Sequence, residues 1–318
     1  MMIKTMRDAF IEVIRDRMRE DEGIFFLCAD FGSPKLDLIR TEFKDRFVNV
    51  GIAEQNLINV ATGLALEGVT VYAYAIAPFL TMRAYEQIRV NVALHAQLRE
   101  INVNLVGVGA GMSYDVSGPT HHCIEDIIIM RTLPNISVIC PSDFQIAARF
   151  ADYSVKVKTP KYMRLEGKTL PAIYERAAQV NIEDGFYELK KGGDICLIST
   201  GYMTHRALEV ADMLAGDGIE AGVIDVFIIK PFNDELIYEA LKGYRCAVTL
   251  EEGFVNKGGL DSIVACMLED RASDIRLKRM GLADEYLFDI GSRDYLHRLG
   301  GIDAANIIKN IKALLKGA

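Results

Sequence analysis

The sequence predicts an α/β fold of two domains, each a mostly parallel sheet covered by helices. Three observations predict it. Apolar strand-like runs alternate with amphipathic helical segments along most of the chain. Those runs are apolar at successive positions rather than at every second one, as in strands buried on both faces. The alternation breaks down between about Leu165 and Gly193 and then resumes. A chain of 318 residues, half of them hydrophobic, is long for one domain and comfortable for two.

The elements follow in order. Thr5 precedes Met6 to Met18, where apolar residues recur at every third or fourth position, so this segment reads as a capped amphipathic helix. Ile24 to Ala29 reads as a buried strand, broken by Asp30-Phe31-Gly32-Ser33-Pro34. Helices are expected over Glu54 to Leu66, Phe79 to Ala96 and Phe144 to Val155. Strands are expected over Val69 to Ala75, Ile101 to Val108 and Ile136 to Cys140. Glycine, proline and charge then interrupt the pattern, as in Glu166-Gly167-Lys168 and Lys190-Lys191-Gly192-Gly193. After this connector, Asp194 to Thr200, Ala221 to Ile229 and Cys246 to Leu250 read as strands. Thr204 to Leu214, Gly258 to Glu269 and Asp303 to Leu315 read as helices. We therefore expect a first domain over 1–175, a linker over 176–193 and a smaller domain over 194–318. There is no internal repeat and no low-complexity tract.

Composition narrows the function. The net charge is −8 with both signs scattered, and no basic stripe marks a nucleic-acid surface. None of the six cysteines is paired at C-x-x-C spacing, and Cys28, Cys140, Cys196 and Cys246 lie in or beside strand-like runs. They read as small buried hydrophobes of a reducing compartment. No apolar run approaches the roughly 20 residues of a membrane span, and the N-terminal stretch lacks the apolar core of a signal peptide. The expectation is a soluble cytoplasmic protein with no membrane partner.

Three segments carry candidate chemistry. In Val50-Gly51-Ile52-Ala53-Glu54-Gln55, a glycine turn leads into a helix with a glutamate in its first turn. Such a carboxylate either complements the helix dipole at the surface or, if buried among Ile52, Ala53 and Leu57, holds a proton for acid–base work. In Ser117-Gly118-Pro119-Thr120-His121-His122, glycine and proline define a tight loop before two histidines. Without a ligand cluster beside them these histidines suit proton transfer better than metal binding. The third is the helix from Phe79 to Arg89, where Phe79 is either core or a stacking platform. Gly216-Asp217-Gly218 resembles the start of a diphosphate–magnesium motif, but it falls at the end of a periodic helix and reads as a C-cap turn.

In this order the segments resemble the transketolase superfamily across essentially the whole chain. Residues up to about 175 are similar to its pyrimidine-binding domain and the remainder to its C-terminal domain. Val50-Gly51-Ile52-Ala53-Glu54-Gln55 is similar to the segment that carries the family's glutamate, and Gly118-Pro119-Thr120-His121 to a catalytic-histidine loop. The resemblance implies thiamine diphosphate as cofactor. Glu54 would face N1′ of its aminopyrimidine and favour the imino form that removes the thiazolium C2 proton. Phe79 would stack on that ring, with Arg83 beside it on the same helix. His121 would hydrogen-bond the substrate and assist proton transfer. Arg164 falls where transketolases place a substrate-phosphate arginine, and Ser117, Arg7 and Ser33 fall near other substrate-contacting positions.

The resemblance also implies what this chain lacks. The domain that binds diphosphate through Mg2+ would come from a separate N-terminal transketolase subunit, most simply in an α2β2 assembly. The expected activity is transfer of a two-carbon ketol unit between sugars or sugar phosphates by the assembled pair. The alternatives are a 2-oxo acid dehydrogenase β subunit, a 1-deoxyxylulose-5-phosphate-synthase-like enzyme, and a non-catalytic assembly subunit. Val116 and Ser117 stand where transketolases have an acidic pair, and Gly109-Ala110-Gly111 where the family places a phosphate-binding cation. Either the substrate differs from the usual sugar phosphates, or the partner chain or Arg7 supplies the missing charge.

Overall fold

Twelve strands build two sheets in the computed structural model, which describes residues 4–174 and 177–316. They are β1 (Ile24–Cys28), β2 (Phe47–Asn49), β3 (Thr70–Ile76), β4 (Asn102–Val108), β5 (Ser137–Ile139), β6 (Lys161–Leu165), β7 (Phe186–Lys190), β8 (Ile195–Ser199), β9 (Ala221–Val226), β10 (Ile228–Lys230), β11 (Cys246–Phe254) and β12 (Arg276–Leu282). The first sheet has the order β10-β5-β6-β4-β3-β1-β2 and the second β12-β11-β8-β9-β7. All pairings are parallel except β10 with β5 and β7 with β9. Every residue of β4, β8 and β11 is buried. This is why their sequences are apolar without alternation.

Local signals explain the helix starts. Thr5 caps the helix Met6–Glu20, its hydroxyl accepting from the Asp8 amide at 3.0 Å. Asp143 caps Phe144–Lys156 in the same way. These two helices pack against each other on one face of the first sheet, with Phe10, Ile14, Phe150 and Ala151 in the core between them. Gly216 ends the helix Tyr202–Gly216 and Asp217 is its C-cap, in agreement with a turn rather than a phosphate site.

Two expectations need correction. The stretch read as a linker contains β7, which pairs with β9; its mixture of apolar and charged residues, none of them fully buried, suits an edge strand. Residues 1–3 and the boundary at 175/176 lie outside the described residues. The run Ala221 to Ile229 is not one strand. It breaks at Phe227, and β10 crosses to pair with β5 at the edge of the first sheet. The Cys140 amide donates to the Phe227 carbonyl at this crossing, at 2.8 Å. An inner strand of the second sheet and an edge strand of the first thus share one continuous segment of chain.

The parallel strands of the first sheet all deliver their loops to one end. Ser33 follows β1, Glu54 follows β2, Phe79 follows β3, the loop 109–123 follows β4, and Glu166 follows β6. The carboxyl end of a parallel sheet is where α/β proteins gather their ligand-binding loops.

Candidate active site

Glu54 is the first residue of the helix Glu54–Leu66 and is only 3% exposed. A carboxylate in the first turn complements the positive end of the helix dipole. Arg83 donates from Nη1 to Glu54 Oε2 at 2.6 Å, and no other described residue hydrogen-bonds the carboxylate. The other oxygen, Oε1, is therefore left for a ligand. The Arg83 guanidinium also lies 4.8 Å from the centroid of the Phe79 ring. Phe79 in turn meets His121 edge-on, with ring centroids 5.2 Å apart and planes at 69°. Glu54, Arg83, Phe79 and His121 thus form a continuous line of contacts across three loops.

The helix that carries Phe79 and Arg83 is not the regular one expected. Phe79–Arg83 and Ile88–Ala93 are wide turns with i→i+5 hydrogen bonding. A wide turn adds a residue to the rung and re-aims the side chains on it, a distortion common at functional sites.

His121 is held by its loop. Its amide donates to the Gly118 carbonyl at 3.0 Å, and its Nδ1 meets Thr120 Oγ1 at 3.0 Å. This leaves Nε2 for a substrate. The loop is pinned at both ends. Asp115 accepts from the Val116 and Arg293 amides, each at 2.8 Å, and pairs with Lys168. Cys123 and Gly111 exchange backbone hydrogen bonds of 2.8 and 3.0 Å.

The remaining expected site residues are placed as follows. Arg7 sits in the first turn of its helix with Nε on Asp8 at 3.0 Å. Ser33 caps the helix Pro34–Glu42, accepting from the Leu36 amide at 3.1 Å. Ser117 is exposed on the loop before His121. Arg164 departs from expectation. It is 4% exposed, with Nε on Asp126 Oδ2 at 2.7 Å and Nη2 on the Cys123 carbonyl at 2.9 Å. Tyr162 donates to the same Asp126 oxygen at 2.7 Å. A guanidinium so engaged holds the base of the His121 loop instead of facing solvent.

Sequence reading missed the network that seats the second sheet against this loop. Arg293 donates to Glu252 Oε1 and Glu166 Oε2, each at 2.7 Å, and its guanidinium lies 3.6 Å from the Tyr202 ring centroid. His297 Nε2 meets Glu252 Oε1 at 2.6 Å. Burial opposes the charge on Glu252, but Arg293 and His297 outweigh it and hold the carboxyl well below the usual range. A second tie is Asp225, which accepts from Ser142, from Tyr174 at 2.6 Å and from Thr204 at 2.7 Å. These partners lie tens of residues apart or more, so no local pattern announces them.

Glu251, the neighbour of Glu252 on β11, faces the other way. Its Oε1 accepts from the Asp261 amide at 3.3 Å, while its Oε2 is buried with no partner. Burial, with the nearby Asp261, pushes its carboxyl up to about 7. A folded-state value above the unfolded one means that stability falls as pH rises from the ordinary carboxylate range through about 7. Glu251→Gln is expected to flatten that slope and to raise Tm at pH 8, by about 2–4 °C for each kcal/mol recovered. Thermal melts of both proteins from pH 5 to pH 8 check this. Parallel pH profiles would show that Glu251 is ionised throughout.

With this geometry in place, similarity to known proteins is decisive. The family described as transketolase, pyrimidine binding domain, matches residues 3–171, and transketolase, C-terminal domain, matches residues 186–307. The chain belongs to the transketolase family. It is 38% identical over 267 residues to a subunit of apulose-4-phosphate transketolase from Actinobacillus succinogenes, covering 84% of each chain. It is 30% identical over 312 residues to a 6-deoxy-6-sulfo-D-fructose transketolase subunit from Clostridium sp., covering 96% of this chain and 92% of that one. A solved structure described as a split gene transketolase, inactive beta4 tetramer, superimposes with a TM-score of 0.86 at 30% identity, covering 98% of both chains. A 1-deoxy-D-xylulose-5-phosphate synthase from Aquifex aeolicus is 31% identical over 314 residues, but these are 46% of that protein. As a transketolase-family chain it carries the pyrimidine-binding and C-terminal domains. Among its described residues no helix is long and apolar enough to cross a membrane.

Proposed function

We propose that this chain is the C-terminal subunit of a two-chain, thiamine-diphosphate-dependent transketolase, transferring a two-carbon ketol unit between sugars. The observation that carries the reading is the contact line Glu54–Arg83–Phe79–His121 at the carboxyl end of the first sheet. The residues fit the aminopyrimidine half of the cofactor: a buried carboxylate with one oxygen unclaimed by described residues, next to an aromatic ring. When bound, the cofactor supplies the electron sink for cleaving the bond beside a carbonyl.

The chain's own residues then do the following. Glu54 holds a proton on Oε1 towards N1′ of the aminopyrimidine. Arg83 fixes the carboxylate through Oε2 and keeps it from turning away. Phe79 offers its ring as the stacking surface. His121 presents Nε2 to a substrate oxygen, to hydrogen-bond it and move its proton. Arg164 and Asp126 act as positioning residues beneath this loop, and Ser117, Arg7 and Ser33 face the sugar.

The diphosphate and Mg2+ are assigned to a partner subunit, in an α2β2 assembly in the cytoplasm. Relatives of similar length named as transketolase subunits support this reading. The test is to assay the chain alone and with its candidate partner, using xylulose 5-phosphate as donor. Turnover is expected only from the pair, and ordinary turnover by the chain alone would overturn the two-chain reading. Pyruvate decarboxylation by the pair would instead favour the synthase-like or 2-oxo acid dehydrogenase reading.

A further inference from the structure

At the end of the first sheet opposite the candidate active site, the chain buries a lysine. Lys161 is the first residue of β6 and is fully buried. The strand register sets it beside Asn104 of β4, and sets Asn102, the first residue of β4, beside Thr70, the first of β3. Side chains at paired positions, and at every second position of one strand, lie on the same face of a sheet. Thr70, Asn102, Asn104 and Lys161 therefore form one polar patch. The same face continues into the apolar core with Tyr72, Val106 and Met163.

Lys161 Nζ donates to three oxygens: Asn102 Oδ1 at 2.9 Å, the Val157 carbonyl at 2.5 Å and the Thr159 carbonyl. None of the three belongs to a carboxylate. The direction of the Asn102 amide is fixed, because its Nδ2 donates to the Ser154 carbonyl at 3.0 Å and to Thr70 Oγ1 at 3.2 Å. Asn104 donates to the same Asn102 oxygen at 3.2 Å, and its own Oδ1 is buried with no partner. Val157 is the C-cap of the helix Phe144–Lys156, so its carbonyl belongs to the negative end of that helix dipole. Burial and the nearby Lys158 lower the pKa of Lys161, and the three oxygens oppose them. An ammonium has three N–H donors, one for each oxygen. A neutral amine has two, and its lone pair would face the third oxygen.

We propose that the amino end of the first sheet is a monovalent-cation site, and that the chain fills it with its own Lys161 ammonium. Converging carbonyl oxygens hold a bare monovalent cation by taking the place of its hydration shell. Here the same kind of oxygen set closes on an ammonium carried by the chain. The charge ties the end of the helix Phe144–Lys156 to the starts of β4 and β6, so this corner of the sheet needs no ion from solution. The inference is independent of the proposed transketolase function.

Lys161→Ala removes the ammonium and leaves its oxygens in place. The test compares thermal melts of this variant and of the native full chain in lithium, potassium and ammonium chloride at equal ionic strength. The native chain is expected to melt alike in all three salts. The variant is expected to melt lower in lithium chloride and to regain at least about 2 °C in potassium or ammonium chloride, because an ion that binds only the folded state stabilises it by mass action. Equal melting of the variant in the three salts overturns the proposal, as does a native chain that potassium stabilises to the same extent. If the variant does not fold, the native chain decides by itself. Nitrogen-15 NMR of the lysine-labelled chain at pH 8 is expected to show Lys161 as an ammonium with three attached protons. A neutral amine at that position overturns the proposal.

Discussion

Glu54→Gln is expected to slow exchange of the cofactor C2 proton in the assembled complex by about 10²–10⁴-fold, the usual range for loss of a general acid–base group. The substitution preserves shape. The amide oxygen still accepts from Arg83, which now holds Oε2 at 2.6 Å. The amide nitrogen still donates a hydrogen bond where Oε1 stood, but it has no proton to share. A group that acts only as the buried partner of Arg83 would behave differently. Removing its charge would change stability and leave exchange in the loaded complex untouched. Proton exchange followed by NMR, beside a thermal melt, separates the two. Equal exchange rates in both proteins would reduce Glu54 to a helix-terminal carboxylate.

Arg293→Met is expected to destabilise the protein by about 3–5 kcal/mol, because it leaves buried carboxylates without their cation. Glu252 and Glu166 both lie on this one guanidinium and are both buried. His297 then remains as the only basic group on Glu252 among the described residues. The acid side follows from the same pairing. The folded-state value of Glu252 is depressed, so its stabilisation is complete above the unfolded carboxylate range and is lost as pH falls below it. The native protein is therefore expected to lose stability steeply on acidification, and Arg293→Met to lose less over the same interval. Denaturant unfolding at pH 7 and pH 4 measures both effects. A loss under about 1 kcal/mol at pH 7 would mean that the network does not seat the second sheet. Arg293 also donates its backbone amide to Asp115, the anchor of the His121 loop. Disorder in this network is therefore expected to reach the loop that carries His121.

Much of this was legible in the residues themselves. Buried parallel strands must be apolar on both faces, so β1, β3, β4, β8 and the start of β11 stood out in sequence. Thr5 announced the first helix because a side-chain oxygen before an amphipathic run satisfies an unpaired amide. Glu54, Phe79 and His121 were singled out from segments whose order matches the transketolase pattern, and in the structure they lie in one contact line. Short or mixed strands escaped notice. β2 has three residues, β6 mixes Lys161 and Arg164 with apolar neighbours, and β12 carries three basic residues in its seven.

The sequence by itself determined the alternation of elements, the capped helix starts and the candidate carboxylate, ring and imidazole. The elements and caps depend on residues within a turn or a strand of one another, where hydrogen-bond spacing and side-chain periodicity act locally, whereas the candidate carboxylate, ring and imidazole were singled out by the order of segments that resembles the family. Only the tertiary structure decided that β10 leaves its neighbour β9 for the first sheet. It alone turned Arg164 inward onto Asp126, laid Tyr114 over Gly109, and closed Arg293 on Glu252 and Glu166. Those pairings join groups far apart along the chain. Burial makes an unpaired charge or an unfilled gap expensive, so the partner is chosen by which groups the two packed sheets bring together.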